Sequence, residues 1–117
     1  MKYMLMFWED ESAEVTPEEG AATLTAIRSW VDEMTGRGIR LHGSELEPVS
    51  QARFVSVRDS EMLVSDGPYA ETKEQIGGYD VIECASLGAA MEVAAAHPIA
   101  RTGTVEVRPL GDFPGDQ

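Results

Sequence analysis

The chain opens with MKYMLMFW, apolar at both odd and even positions after Lys2. A strand with one wet face alternates between apolar and polar residues, so this one is predicted to be covered on both sides. Residues 9–19 then carry six acids, Glu9, Asp10, Glu11, Glu14, Glu18 and Glu19. Their spacing matches no calcium-loop pattern, and they read as a solvated loop that runs into a helix. Thr16 is the expected N-cap, Pro17 suits the first helical position, and Glu19 completes a capping box. Leu24, Ile27, Val31 and Met34 recur at three- and four-residue spacing and give the helix one apolar stripe, with Trp30 beside it as a core or interface residue. Gly36 and Gly38 end it.

Ile39–Leu46 reads as a second strand, with Ile39, Leu41 and Gly43 on one face and Arg40, His42 and Ser44 on the other. Arg53–Val57 and Met62–Ser65 are predicted to form a hairpin around Arg58-Asp59-Ser60-Glu61. A strand at roughly Gly78–Ala85 and a helix at roughly Leu87–Ala96 follow, the helix capped by Ser86 and stopped at His97-Pro98, where His97 is expected to meet free helix-end carbonyls. The last strand, Gly103–Arg108, sets Val105 and Val107 against Thr104, Glu106 and Arg108. The order β-α-β, hairpin, β-α-β is that of a split βαβ, α+β ferredoxin-like domain: an antiparallel sheet with two helices on one face. In that topology the first strand is central. Helices cover one face only, so the doubly apolar first strand calls for a second sheet on the other.

Composition narrows the function. At 117 residues the chain is expected to form a single domain, 1–117. A net charge of −12 repels phosphate backbones and anionic lipid, so neither nucleic acid nor a membrane is an expected partner. Cys84 is the one cysteine, which excludes an intrachain disulfide and a thiolate metal cluster and suits a buried thiol. The apolar run Tyr3–Trp8 is too short to span a bilayer and lacks a signal-peptide exit, which makes a cytoplasmic protein the expectation.

The stretch SDGPYAETKEQIGGYDV, Ser65–Val81, is far longer than a hairpin between its flanking strands needs. Asp66-Gly67-Pro68 is the chemistry of a tight turn, with Asp66 expected to accept a backbone N–H. Glu71, Lys73 and Glu74 have no such fold role and suggest ion pairing or the rim of a ligand site. If a site is there, Asp66 or Glu71 is the candidate general base and Lys73 the anion-holding or electrophilic group. His42, sharing a face with Arg40 and Ser44, is a further acid/base candidate. No nucleophile elbow, phosphate loop or dinucleotide fingerprint occurs, so no cofactor and no metal is expected.

Loop and fold together resemble the YCII-related family, specifically its DGPF branch. The resemblance rests on Asp66-Gly67-Pro68-Tyr69, Ala70-Glu71-Thr72-Lys73-Glu74 and the pair Gly77-Gly78, with Tyr79, the opening Met1-Lys2-Tyr3-Met4 and Val105-Glu106-Val107-Arg108-Pro109 in support. It implies a dimeric α/β barrel, in which two ferredoxin-like sheets of a homodimer pack face to face around a small cavity. The resemblance leaves two functions open: a cofactor-independent enzyme acting on a small organic molecule by proton transfer or elimination, or a non-catalytic binding or regulatory module linked to an extracytoplasmic-function sigma factor. The wider family is associated with a His on the first helix and an Asp near the end of the second. Here the first helix has no His, and His97-Pro98 stands where Asp-Pro would be, so that pair does not carry over.

Overall fold

A computed structural model describes residues 1–66 and 73–111. Strand β1 (Lys2–Glu9) leads to helix α1 (Pro17–Gly36) and strand β2 (Arg40–Glu45); the hairpin strands β3 (Arg53–Arg58) and β4 (Glu61–Asp66) follow, then β5 (Gln75–Glu83), α2 (Leu87–Ala95) and β6 (Thr104–Pro109). The main sheet has the order β2-β5-β1-β6 with every neighbour antiparallel. This is the expected α+β, ferredoxin-like arrangement, with β1 and β5 in the centre. The hairpin forms a separate two-stranded sheet.

The local signals act where they were expected. Thr16 Oγ1 accepts from Glu19 N at 3.1 Å and the Glu19 carboxylate accepts from Thr16 N at 3.4 Å, closing the capping box of α1. Gly38, just past the helix, takes a φ of +73°, the left-handed conformation that favours glycine at a helix end. Ser86 Oγ accepts from Ala89 N at 3.1 Å and starts α2.

Alternation along β1 sorts the sheet into two faces. Tyr3, Leu5 and Phe7 point to the helices and are buried with Trp30, Met34, Ile82, Ala90, Val93, Ala94 and Ile99. Trp30 is a core residue, its indole N–H donating to the Val93 carbonyl at 3.1 Å. Cys84 is buried as expected. Leu24, counted in the apolar stripe, is exposed, because the first turns of α1 run past the edge of the core and only Ile27 onward meets it.

His97 is a core residue as well. Its ring stacks on Phe7 at 4.2 Å between centroids and meets the edge of Trp30 at 4.6 Å. Its Nδ1 accepts from Ile99 N at 3.1 Å, so the imidazole caps the following 3-10 turn, Pro98–Arg101, and accepts a hydrogen bond where donation to helix-end carbonyls was expected.

The hairpin turn has positive φ at both central residues, 52° at Asp59 and 64° at Ser60. This is the twist a two-residue turn needs to match its strands, and it normally recruits Asn-Gly or Asp-Gly. Ser60 bears the steric cost of a left-handed L-residue, so Ser60→Gly is expected to steady the hairpin by about 1 kcal/mol. Slower hydrogen exchange at the amides of β3 and β4 checks this, and unchanged exchange contradicts it.

Candidate functional site

The register of the sheet defines its other face row by row. On the helix side Arg40, Ile82, Tyr3 and Pro109 align, then Gly43, Asp80, Leu5 and Val107. On the open side His42, Val81, Met4 and Arg108 align, then Ser44, Tyr79, Met6 and Glu106, and at one end Ile76, Trp8 and Thr104. Met4, Met6 and Trp8 are only half-buried, whereas Tyr3, Leu5 and Phe7 beside them are buried. Among the described residues both helices pack on the side of Tyr3, Leu5 and Phe7 and none covers the open side; the short axis is 19 Å, the depth of a sheet and one helix layer. The face that would enclose a cavity in a closed barrel therefore lacks a covering layer among the described residues, and only Val81, between the larger side chains of its neighbours in the row, is buried on it.

Polar groups stand around this apolar floor. At one margin His42 sits edge-on to Tyr79, 6.2 Å between ring centroids. Toward the other, the Trp8 indole donates to Glu106 Oε1 at 2.9 Å, and Arg108 bonds the second Glu106 oxygen. The Trp8 hydrogen bond, joined by Arg108, holds the Glu106 carboxyl below its usual range despite some desolvation. Glu106 is thus a fixed anion with two committed donors. Alternation along β6 had placed Thr104, Glu106 and Arg108 together, but the link to Trp8 depends on which strand lies next to β6, and local pattern does not carry that.

Arg40 does not share the face of His42 as alternation suggested. A β-bulge at Leu41 lies between them: Arg40 pairs with Ile82 and His42 with Val81. The extra residue turns Arg40 to the helix side, where its Nε meets Asp80 Oδ1 at 3.1 Å. Burial raises the pKa of Asp80 while the Arg40 guanidinium and its hydrogen bond oppose the rise. Gly43 leaves the space this carboxylate fills; a Cβ there would lie 1.7 Å from Asp80 Oδ1.

The loop residues are placed more sparsely. Asp66 is the last residue of β4, and its carboxylate pairs with Arg53 Nε at 3.1 Å on the exposed hairpin; the turn expected beyond it lies outside the described residues. Asp66 therefore sits on a different sheet from His42. Gly67, Pro68, Tyr69, Glu71 and Thr72 lie outside the described residues. Lys73 lies close enough to Asp10 to favour its ionised form, although a hydrogen bond from Ser12 is the larger cause there. Glu74 accepts from Thr104 Oγ1 at 3.3 Å, which ties the end of the loop to the β6 margin of the open face.

Gly77 and Gly78 belong to β5, which starts earlier than the sequence suggested. Gly77 is the bulge residue opposite Phe7 and Trp8, and a Cβ there would lie 2.8 Å from Glu9 Oε2. A Cβ at Gly78 would come 3.1 Å from the Ser44 carbonyl. Both admit close neighbours, a packing role. Beside them opens a cleft of about 600 Å³ lined by Glu9, Glu11, Glu45, Glu47, Leu46 and Gly77 among others. Burial, then Glu45 and Glu11, raise the pKa of Glu9. Among the described residues no three His, Cys, Asp or Glu side chains are posed to hold a metal, and no helix is long and apolar enough to cross a membrane.

The model of the YCII-related domain matches residues 1–114. An uncharacterised protein of Rhizobium meliloti (strain 1021) is 33% identical over 123 residues, an alignment that takes in 99% of this chain and 98% of that protein.

Proposed function

We propose that this chain, which belongs to the YCII-related family, binds a small organic molecule on the open face of its sheet. The same face of a second copy closes over that ligand, as in a dimeric α/β barrel, and His42 moves a proton on it. One observation carries this reading: His42, oriented by Tyr79, stands at the margin of a floor formed by half-buried Met4 and Met6 and buried Val81. An apolar floor ringed by a few polar groups is the usual make-up of a ligand site, and imidazole is the side chain suited to proton transfer near neutral pH. The Trp8–Glu106–Arg108 group would orient the ligand. Lys73, at the end of the DGPF-type loop, is the proposed anion-holding residue. Asp66 would act as a base only after release from Arg53, which ranks it below His42.

Native mass spectrometry of the purified protein tests this. The expected species is a dimer that carries a small organic adduct. Met6→Lys, which puts a charge in the floor, is expected to lose both dimer and adduct. His42→Gln should keep the dimer and lower adduct occupancy about ten-fold, the usual size of one lost hydrogen bond to a bound ligand. A dimer without adduct, or adduct indifferent to H42Q, refutes the reading.

Binding without turnover, including an accessory role beside an extracytoplasmic-function sigma factor, is favoured by a single feature: Glu106, the carboxylate level with Met6 on the open face, is held ionised by two donors and is poorly suited to exchange protons. Incubation in D2O separates the alternatives. Deuterium entering the bound molecule with the native protein but not with H42Q marks proton transfer; none with either marks a binding module.

A further inference from the structure

We propose that the hairpin β3–β4 is an association arm, and that its apolar face packs on the same face of the hairpin from a second copy of this chain. Val55 pairs with Val64 and Val57 with Met62 across the two strands, so these four side chains share one face. They are 61%, 53%, 60% and 70% exposed, respectively. Among the described residues the hairpin packs substantially on no other strand or helix. A lone two-stranded hairpin is at best marginally stable in water, and one with a bare apolar face needs a cover. The radius of gyration, 16.3 Å, exceeds the roughly 13 Å of a compact domain of this length, as a projecting arm requires.

The charges on this face select the occupant. Arg53 and Asp66 lie directly opposite one another on the two strands, level with one end of the apolar quartet, and pair at 3.1 Å. Rotation of the hairpin by half a turn about an axis parallel to its strands sets β3 over β4 of the second copy with levels preserved. Val55 then faces Val64, Val57 faces Met62, and Arg53 faces Asp66, twice over by symmetry. The face is thus complementary to itself in shape, hydrophobicity and charge, the condition for a two-fold contact. This surface is separate from the open face of the main sheet, and the inference stands whether or not that face binds a ligand.

Charge complementation tests the contact. In R53D or D66R alone, both symmetric pairs across the interface become like-charge pairs, and sedimentation velocity at about 0.15 M salt should show association weakened about ten-fold. An equimolar mixture of the two chains restores opposite charges between copies without restoring the pair inside either hairpin. Recovery of association on mixing, with mixed assemblies dominant by native mass spectrometry, supports the inference. A triple change, Val55→Thr, Val57→Thr and Met62→Thr, keeps strand-forming residues and should also lower association while circular dichroism stays native. Loss of assembly with M6K but not with the hairpin variants would leave the sheet-face dimer standing and overturn the hairpin contact. No recovery on mixing would overturn it too, and would point to a docking place for the arm elsewhere on the partner.

Discussion

Acidification from pH 6.5 to pH 4 is expected to remove on the order of 3 kcal/mol of folding stability through His97 alone. Burial between Phe7 and Trp30, with no charge partner, pushes its pKa down to about 4 from an ordinary 6.5. The unfolded chain therefore binds the proton first as pH falls. Stability is whole above pH 6.5, declines by up to about 1.4 kcal/mol per pH unit through the window, and levels off below the folded value. Against a typical total of about 5–15 kcal/mol this is a large share. Glu9 and Asp80, whose pKa values are raised in the fold, act in the opposite sense nearer pH 4, so the clean part of the window lies above about pH 5. Denaturant titrations at several pH values measure the slope. His97→Asn keeps an acceptor for Ile99 N without a titrating ring; it should be less stable at every pH and should lose the slope. Parallel pH profiles for the two proteins would refute the assignment.

Gly43→Ala is expected to cost about 3 kcal/mol or more, an uncommon loss for the addition of one methyl group. Its Cβ would come 1.7 Å from Asp80 Oδ1 and 2.5 Å from the Tyr79 carbonyl oxygen. Asp80 can escape only by leaving Arg40, which strands a carboxylate that is 5% exposed; breaking a buried pair in this way costs about 3–5 kcal/mol. The Tyr79 carbonyl is backbone, so β2 must also draw away from β5. Because His42 and Ser44 flank Gly43, the same shift displaces the polar margin of the open face. Adding Asp80→Ala to G43A removes the first clash and leaves the second, and should recover part of the loss. A stability change under about 0.5 kcal/mol for G43A would show that the strand adapts freely.

Much of the architecture was legible because it is written in short-range chemistry. A capping box needs Thr16 and Glu19 three residues apart, a helix stop needs Gly38, and a central strand needs both faces of MKYMLMFW apolar. Each of these is a relation among neighbours in the chain. Element order then pointed to the ferredoxin-like sheet. The expectation for β2 failed at one residue, Leu41, because a bulge depends on what the partner strand β5 presents, and it moved Arg40 to the opposite face from His42. Likewise His97 at the end of α2 gives no local sign of the Phe7 and Trp30 rings that enclose it, residues 90 and 67 positions away in the chain.

For the site, sequence alone determined the charged, glycine-bearing stretch from Asp66 to Gly78, the alternation that puts Glu106 and Arg108 on one face, and the excess of acid that repels polyanions. Only the tertiary structure decided which of these charges meet: Asp66 with Arg53 on the hairpin, Asp80 with Arg40 beneath Gly43, and Glu106 with Trp8 across the sheet. The reason is physical. Strand pattern states which face a side chain takes, but ion pairs, hydrogen bonds and burial act through space between strands whose order and register are set by the packing of the whole chain.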